Sequence, residues 1–270
     1  MKYKFLIVIL SIAVITCKQK DELQWTHLWN GENLNNWNMH LGTPLTGYDS
    51  LANTLTTDDV FQVQVVEGDT LLYISGAINA SLASKEHYQN YHLRMEFRWG
   101  DTMYTAYNSG LLYHSYGDFG PGLGTWMNAH EFQLMTGNMG DSYRMGETYC
   151  EIPVVEMGDG KNYQYSADGE MMNFGEEGVS KIARKRDDFE KPIGEWNVLD
   201  LYCFDGQSVF LVNGKTVMVN YNSGRYVNGE IEPLTSGNIQ IQSEGGEMYI
   251  RELKLRDISG IPAEVMPQES

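Results

Sequence analysis

The sequence predicts an all-β protein built as a sandwich of two antiparallel sheets. Residues 91–100 (YHLRMEFRWG) alternate apolar and polar side chains, which is the period of a strand with one face in a core. About a dozen short runs resemble strands, and no segment after the N-terminus keeps a helical period. Aromatic residues make up 12% of the chain and 28 positions are glycine, a composition typical of β-rich proteins with many turns.

The polar face of residues 91–100 is unusual because it carries His92, Arg94, Glu96 and Arg98 in a row. An ordinary solvent-facing strand carries mainly Lys, Thr, Ser and Glu. Such a row is either a salt-bridged sheet surface or the floor of a polar groove, and charged cross-strand pairs are common on exposed sheets. The strand alone leaves both interpretations open.

Two further segments, residues 130–134 (HEFQL) and 237–244 (GNIQIQSE), also put polar side chains on one face and apolar side chains on the other. The amides and carboxylates in these two rows are Glu131, Gln133, Gln240, Gln242 and Glu244. Each such group offers several directed hydrogen bonds. Rows of this kind suit a ligand covered in hydroxyl groups better than an apolar or a phosphorylated ligand.

Length and charge exclude some classes of function. A chain of 270 residues with 42% apolar content can bury the core of one large β domain. The net charge of −17 disfavours nucleic acid and an anionic membrane surface as partners. Solubility outside the cell is the simpler explanation of that charge.

The N-terminus resembles a secretory signal. Lys2 and Lys4 precede an apolar run over residues 5–15, which is too short to span a bilayer. The run leads to Cys17, in a sequence similar to a bacterial lipobox, where a peptidase cuts before a cysteine that is then lipidated. Because Thr16 stands where a lipobox usually has Gly, Ala or Ser, an uncleaved anchor or plain secretion stays the alternative.

We therefore expect an exported protein, lipid-anchored in the bacterial periplasm, at the outer membrane or at the cell surface. The expected divisions are a lipoprotein signal peptide (1–17), a tether (18–24), a single β-sandwich domain (25–258) and a C-terminal tail (259–270). Two cysteines then remain in the folded part, Cys150 and Cys203, both in strand-like runs. Two buried thiols are favoured over a disulfide, although an exported protein meets an oxidising compartment.

Four segments between the strand-like runs are predicted to be loops. Residues 41–59 and 117–128 are rich in Gly, Asn, Thr and aromatic residues, and are either the rim of a groove or simple connections. Residues 137–144 directly follow the strand that carries Glu131, so we expect them to overhang the same surface. Residues 176–190, with their Lys-Arg-Asp-Asp cluster, are predicted to be a solvated insert.

Several motifs follow one another along the chain: LWNGENLNNW (28–37), EFRW (96–99), NSG (108–110), EFQ (131–133), WN (196–197), VNGK (212–215), GNIQIQSEGG (237–246) and YIREL (249–253). In this order they resemble the 3-keto-disaccharide hydrolase domain family, formerly domain of unknown function 1080. The resemblance covers about residues 25–256. It implies a concanavalin A-like jelly roll with a concave polar face, and a carbohydrate-active enzyme that cleaves 3-keto-glycosides as hydrolase or lyase.

The chemistry implied by the resemblance does not need the usual two acids of a glycosidase. A ketone at sugar C3 acidifies the proton on C2, so a base can remove it and the C1 substituent can leave. Water can then add back, which gives net hydrolysis. The alternatives are a non-catalytic glycan-binding surface lipoprotein and a structural surface protein.

The resemblance also implies roles for single residues. Glu131 is the candidate base or metal ligand, with a salt bridge to Arg98 as the alternative, and Arg98 is the candidate partner of the enolate oxygen. His130 is a candidate acid or base, although a regular strand would point it away from Glu131. Tyr149 and Tyr143 are candidate proton donors to the leaving oxygen. The candidate substrate-binding residues are Glu96, Asn108, Ser109, Gln133, Asp141, Tyr143, Arg144, Gln240, Gln242, Glu244 and Trp126.

The hypothesis requires five side chains to converge on a single hollow: Arg98, Glu131, Gln133, Gln242 and Glu244. No cofactor is certain. No Cys/His cluster with zinc-like spacing occurs, and a divalent cation such as Ca²⁺, held by carboxylates and carbonyls, is the conceivable exception. The expected partner is a glycoside or oligosaccharide, and no nucleic acid is expected.

Overall fold

The computed structural model describes residues 24–267 of the 270-residue chain. The expected signal peptide, the lipidation site Cys17 and residues 18–23 of the expected tether lie outside the described residues. Within the described part, twenty strands form two antiparallel sheets. Helical structure there is limited to α1 (Thr57–Val60) and two short 3-10 turns, Asp49–Asn53 and Ala263–Val265. None of the helices between residues 24 and 267 has the length and apolar character that crossing a bilayer requires.

The strands in chain order are β1 (Thr26–His27), β2 (Trp37–Leu41), β3 (Phe61–Val66), β4 (Asp69–Ile74), β5 (Ala80–Ser84), β6 (Tyr88–Gln89), β7 (Tyr91–Met103), β8 (Gly110–Tyr116), β9 (Asn128–Gln133), β10 (Ser142–Met145), β11 (Thr148–Glu156), β12 (Tyr163–Tyr165), β13 (Glu170–Phe174), β14 (Ile182–Ala183), β15 (Asn197–Phe204), β16 (Gln207–Val212), β17 (Lys215–Val227), β18 (Glu230–Pro233), β19 (Ser236–Ser243) and β20 (Gly246–Asp257).

The larger sheet has twelve strands, in the order β12-β11-β17-β16-β15-β7-β20-β4-β3. In addition, β1 pairs with β20, β13 with β11 and β18 with β17. The smaller sheet has eight strands, in the order β14-β10-β9-β8-β19-β5-β2, with β6 against β19. The predicted all-β sandwich of two antiparallel sheets is therefore confirmed.

The core lies between the two sheets and follows the period-two pattern of the strands. Leu93, Met95 and Phe97 of β7 belong to one buried apolar cluster with Phe132 of β9 and Ile241 of β19. Fully burying an apolar side chain of this size contributes about 1.5–3 kcal/mol. The polar neighbours of these residues consequently point to the two outer faces of the sandwich.

A second, smaller apolar cluster covers part of the outer face of the eight-stranded sheet. It contains Leu112, Trp126, Ala129 and Met145, with Tyr143 packed against it. Trp126 belongs to the connection between β8 and β9, which folds back over the sheet, and its indole N–H donates to the Ala80 carbonyl at 3.1 Å. One side of this outer face is therefore covered by the chain.

Three details of the sequence prediction can be compared with the fold. Cys150 and Cys203 are both buried and free, as predicted. The expected solvated insert at 176–190 is wrong in part, because it contains β14 and the buried Ala183. Residues 263–265 are attached to the domain, since the Thr216 hydroxyl donates to the Val265 carbonyl at 2.7 Å.

Candidate active site

The candidate site lies on the outer face of the eight-stranded sheet, beside the small apolar cluster. Glu131 of β9 pairs with Tyr143 of β10 on one side and with Leu112 of β8 on the other. Residues opposite one another in an antiparallel pair point to the same face, so Glu131 and Tyr143 are neighbours there. Gln242 of β19 reaches the same place, because one strand, β8, separates β19 from β9.

A glycine lets Glu131 and Gln242 approach one another. A Cβ atom on Gly110 would lie 2.4 Å from Glu131 Oε1 and 2.5 Å from Gln242 Oε1. Both side-chain oxygens thus occupy the space above the Gly110 backbone, which only a residue without a side chain leaves free. The strand prediction included Gly110 in a motif but gave it no role; a glycine inside a strand pattern is the signal that marks such a close approach.

The polar groups at this place have no hydrogen-bond partners within residues 24–267. Among residues 24–267, no group donates a hydrogen bond to the carboxyl of Glu131 or of Glu244, and the Tyr143 hydroxyl makes no hydrogen bond. The side-chain oxygen of Gln242 is buried and also has no partner. Glu131 and Gln242 are buried, and buried polar groups are nearly always hydrogen-bonded, so these orphaned groups make the cluster a candidate site for a polar ligand.

The electrostatics couple two carboxyls at the site. Glu131 is only 2% exposed, and burial together with the negative charge of Glu244 raises its pKa well above the ordinary value, while Arg144 opposes this rise. Burial raises the pKa of Glu244 to about 7. Burial and the charges of both carboxyls also raise the pKa of the Tyr143 hydroxyl. Because the charge of Glu244 acts on Glu131, the two carboxyls titrate as a coupled pair.

Two amides of the predicted site extend the polar surface. Gln133 lies on β9 two residues after Glu131, on the same face, and its side-chain oxygen accepts from the backbone of Leu134 and Met135. Its amide N–H groups make no hydrogen bond within the described residues. Asn108 precedes β8 with the same alternation as Gly110, and its side-chain oxygen is buried without a partner. Both amides are consequently available to a hydroxylated ligand.

The family model of the 3-keto-alpha-glucoside-1,2-lyase-like domain matches residues 24–256. The chain belongs to this family. The resemblance predicted from the sequence motifs is thus confirmed, and it gives the chain a carbohydrate-related function in a family of glycoside-directed enzymes. No curated protein sequence matches the chain.

Several solved structures are similar to this lyase-like domain at low sequence identity. A candidate glycosyl hydrolase from Parabacteroides distasonis ATCC 8503 has a TM-score of 0.50 and 18% identity, with 87% of this chain and 100% of that chain covered. A second candidate glycosyl hydrolase from the same organism has a TM-score of 0.48 and 20% identity, with coverages of 91% and 99%. A carbohydrate-binding module from Bacillus subtilis has a TM-score of 0.43 and 6% identity, with coverages of 73% and 92%. At 18% identity and a TM-score of 0.50, the likeness to the first of them concerns the fold alone.

The lyase-like domain does not bring Arg98 to the site. Arg98 lies on β7 of the twelve-stranded sheet and points to the outer face of that sheet, because its neighbour Phe97 points into the core. Its guanidinium lies 5.3 Å from the ring centroids of both Trp196 and Tyr249. The expected convergence of Arg98 with Glu131 is therefore wrong, since the two side chains lie on opposite outer faces of the sandwich.

The prediction that Glu96 binds substrate is wrong for the same reason. It shares the outer face of the twelve-stranded sheet with Arg98, and its carboxylate accepts from Arg251 at 2.6 Å. Arg94 of the same row forms ion pairs with Asp200 and Glu252. The polar row of residues 91–100 is thus a salt-bridged sheet surface, which was one of its two interpretations, and it contributes nothing to the Glu131 site.

Tyr149 and His130 are also turned away from the ligand-facing surface. Tyr149 lies on β11 of the twelve-stranded sheet, where its hydroxyl donates to Glu151 at 2.9 Å. His130 points into the interior, as the alternation of a regular strand predicts, and hydrogen-bonds Ser223 at 2.6 Å. Neither residue can exchange a proton with a ligand bound over Glu131.

Three predicted substrate-binding residues are occupied by protein partners instead. The Ser109 hydroxyl donates to the Gln242 carbonyl at 2.8 Å, which fixes β8 to β19. The Gln240 side chain accepts from Ser81 at 2.8 Å and donates to Ser115 at 2.7 Å. Trp126 is 1% exposed, so its ring has no free face for a sugar. These residues shape the surface and do not contact a ligand.

Asp141 and Arg144 were also predicted to bind substrate, and the structure contradicts both predictions. Asp141 is buried and accepts from the Arg184 guanidinium at 2.7 Å and the Lys185 backbone N–H at 2.8 Å. Arg144 is buried on the inner face of β10 and hydrogen-bonds His130. Their segment, residues 137–144, was predicted to overhang the site, whereas its last three residues belong to β10 of the sheet itself.

Within the described residues, 24–267, no group of three or more His, Cys, Asp or Glu side chains is arranged to hold a metal ion. The Ca²⁺ expectation remains a prediction. The predicted residues that the structure does bring together are Glu131, Gln133, Tyr143, Gln242 and Glu244, with Asn108 at the end of the row.

Proposed function

We propose that this chain cleaves the glycosidic bond of 3-keto-glycosides by removing the C2 proton and eliminating the C1 substituent, with water addition giving net hydrolysis. One observation supports this most strongly. Glu131 is buried and Glu244 is partly exposed, and these two electrostatically coupled carboxyls have no hydrogen-bond partners within the described residues. An elimination of this kind needs one base and one acid, and a pair that holds a single proton supplies both.

The reaction moves two protons and two electron pairs. The base takes the proton from C2, which the C3 ketone has acidified, and the electron pair of that C–H bond forms the C1–C2 double bond. The C1–O bond breaks, its electron pair leaves on oxygen, and the acid protonates that oxygen. Adding water across the double bond restores a sugar and completes a hydrolysis.

The order of ionisation assigns the two roles. Glu244, whose pKa is raised to about 7, loses its proton first and acts as the base near neutral pH. Glu131 keeps its proton longer, because it is more deeply buried and faces the charge of Glu244, and acts as the acid. This assignment replaces the expectation that Glu131 is the base.

Other groups of the surface match the remaining needs of the substrate. The Tyr143 hydroxyl and the Gln242 amide are donors that can face the developing enolate oxygen, the role first expected of Arg98. The amides of Asn108 and Gln133 can bind sugar hydroxyl groups. Each of these side chains lies on the same outer face as Glu131.

The test is turnover of a 3-keto-disaccharide, compared with the same disaccharide carrying a hydroxyl group at C3. Wild type is expected to release the leaving sugar from the keto compound alone. Glu131→Gln and Glu244→Gln are each expected to lower kcat by about 10²–10⁴-fold, the usual contribution of acid–base catalysis. Glu96→Gln is the matched control, because it makes the same substitution on the opposite outer face.

A second candidate function is glycan binding without cleavage, which the free amides of Asn108 and Gln133 favour. Binding of the keto-disaccharide without turnover by wild type supports this alternative. Unchanged turnover in both glutamine variants excludes the proposed mechanism. The lipid anchor at Cys17 is a separate proposal, tested by metabolic labelling with a radioactive fatty acid and by its loss in Cys17→Ser.

A further inference from the structure

Arg144 carries a positive charge in the interior of the sandwich. Its side chain is 1% exposed, and within the described residues it forms no ion pair. Its guanidinium donates short hydrogen bonds to His130 Nδ1 and Ser142 Oγ, and its Nε–H has no partner. A buried charge that is not paired costs several kcal/mol, so this residue needs an explanation beyond packing.

The first hydrogen-bond chain that begins at Arg144 ends on a neutral group. Because His130 accepts from Arg144 at Nδ1, its proton is on Nε2, which donates to Ser223 Oγ at 2.6 Å. Ser223 in turn donates to the Leu234 carbonyl at 2.7 Å. Burial and the charge of Arg144 lower the pKa of His130 well below its ordinary value, so this imidazole is neutral.

The second chain ends in the same way. Ser142 accepts from Arg144 and donates to Asn220 Oδ1 at 2.7 Å. The Asn220 amide donates to Ser208 at 3.0 Å, and Ser208 lies 2.7 Å from the Tyr113 hydroxyl. Every link is neutral. The two chains hold the guanidinium in place without compensating its charge.

The other titratable groups around Arg144 are neutral as well. Burial raises the pKa of the Cys150 thiol to about 11 and lowers that of His114 to about 4. Burial also raises the pKa of Tyr113. Glu131 differs from them because it is a carboxyl, the more acidic kind of group, although Arg144 lowers its pKa as it lowers those of Tyr113 and Cys150.

The topology puts Arg144 directly behind the site. Arg144 pairs with His130, and the preceding pair in the register is Tyr143 with Glu131. Arg144 and Glu131 therefore occupy neighbouring positions of β10 and β9 and point to opposite faces of the same sheet. Both side chains are buried, so their charges interact through the protein interior, where charges act on one another more strongly than in solvent.

We propose that Arg144 is a positioning residue whose buried charge acts through the eight-stranded sheet on Glu131 and favours the ionised form of that carboxyl. Its consequence for catalysis rests on the proposed function. Without this charge, burial and Glu244 would hold the proton on Glu131 more tightly, and the proton would be transferred to the leaving oxygen less readily. This effect on the ionisation of Glu131, on the other face of the sheet, explains why an unpaired charge is buried at Arg144.

The ionisation of Glu131 is measured directly by NMR, with ¹³C-labelled glutamate carboxyls and Glu131→Gln for the assignment. Arg144→Met is expected to raise the midpoint of Glu131 by about one pH unit, the size of shift that a nearby charge produces. Arg144→Lys is expected to restore most of the wild-type midpoint. Ser142→Ala is the matched control: it removes a hydrogen-bond partner of the same guanidinium and keeps the charge, so the midpoint is expected to stay within about 0.3 of wild type.

An unchanged midpoint in folded Arg144→Met overturns the proposal, and so does an equal shift in Ser142→Ala, which indicates a structural effect. If Arg144→Met does not fold, Arg144→Gln decides, because it also removes the charge but keeps groups that can hydrogen-bond His130 and Ser142, and an unchanged Glu131 midpoint there overturns the proposal. The measurement needs no turnover. A protein that fails to cleave 3-keto-glycosides but shows the expected midpoints refutes the proposed function and leaves the role of Arg144 intact.

Discussion

The side chains of Glu131 and Gln242 approach one another above Gly110. Glu131 lies on β9 and Gln242 on β19, the two strands that flank β8, which contains Gly110. Their side-chain oxygens lie 2.4 and 2.5 Å from the position that a Cβ on this glycine would take. The strand between them therefore contributes to the site by having no side chain. Such an arrangement makes the two groups sensitive to a single methyl group.

Gly110→Ala is expected to displace both oxygens and to lower turnover by about 10²-fold, the cost of a misplacement of about 1 Å. The clashing atoms are the ends of flexible side chains, so the protein is expected to stay folded with a nearly unchanged melting temperature. Gly260→Ala is the control, because nothing lies within 4 Å of its added Cβ. Full activity in Gly110→Ala, or unfolding of that variant, contradicts this account.

The rate of cleavage is expected to depend on pH through Glu244. The base must be ionised, so kcat/KM is expected to rise about tenfold per pH unit below the pKa of about 7 and to level off above it. A decline at higher pH reports the loss of the proton from Glu131, whose pKa burial and the charge of Glu244 also raise. Glu96→Gln is expected to show the same profile. A rate that is constant from pH 5 to pH 8 would be incompatible with these roles.

The carboxyl of Glu244 is expected to lower the stability of the protein at high pH. The pKa of Glu244 is raised from 4.5 to about 7 on folding, so the folded state binds more protons between these values and stability falls as pH rises through them. Glu244→Gln removes this loss and is expected to raise the free energy of unfolding at pH 8 by about 1–2 kcal/mol, after allowance for partial exposure. The gain is expected to vanish at pH 4, and urea titrations at both pH values measure it. A gain of equal size at both values points to packing instead of charge.

Arg98→Ala is expected to keep turnover within about twofold of wild type, since a residue on the opposite face does not contact the transition state. It loses contacts with two aromatic rings, each worth about 0.5–1 kcal/mol at an exposed site, so a small drop in melting temperature is expected. Steady-state kinetics and thermal unfolding separate the two effects. A loss of turnover with an unchanged melting temperature would show that Arg98 takes part in the reaction, against this prediction.

The thiols of Cys150 and Cys203 are expected to be unreactive in the folded protein. Both side chains are fully buried, and burial raises the pKa of each thiol, so neither forms the thiolate that alkylating reagents attack. Labelling with iodoacetamide before and after unfolding, followed by peptide mass spectrometry, tests this. Modification of either cysteine in the native state, or a disulfide between them, contradicts the structure.

The alternation of residues along a strand predicted which side chains share a face, and it did so correctly for β7, β9 and β19. It could not show to which sheet each face belongs. The rows of Arg98 and of Glu131 have the same period, and only the long-range strand order places them on opposite sides of the sandwich. The strand order depends on contacts between segments that are distant in the sequence, and local periodicity carries no information about such contacts.

Arg144 shows a second limit. Its segment contains Gly, Asn and Asp and was interpreted as a loop, because turn residues precede it closely. The strand β10 has only four residues, which is too short for its alternation to be recognised in the sequence. The inward direction of Arg144 therefore became visible only through its pairing with His130.

The N-terminal strand β1 pairs with β20, and Trp25 stacks edge-on against His92 beside it. The described chain thus enters along the twelve-stranded sheet, on the side away from Glu131. A protein immobilised on a bead or an electrode through this end would present its carboxyl pair to the bulk solution. Bulky glycoconjugates could then reach it without steric hindrance from the support.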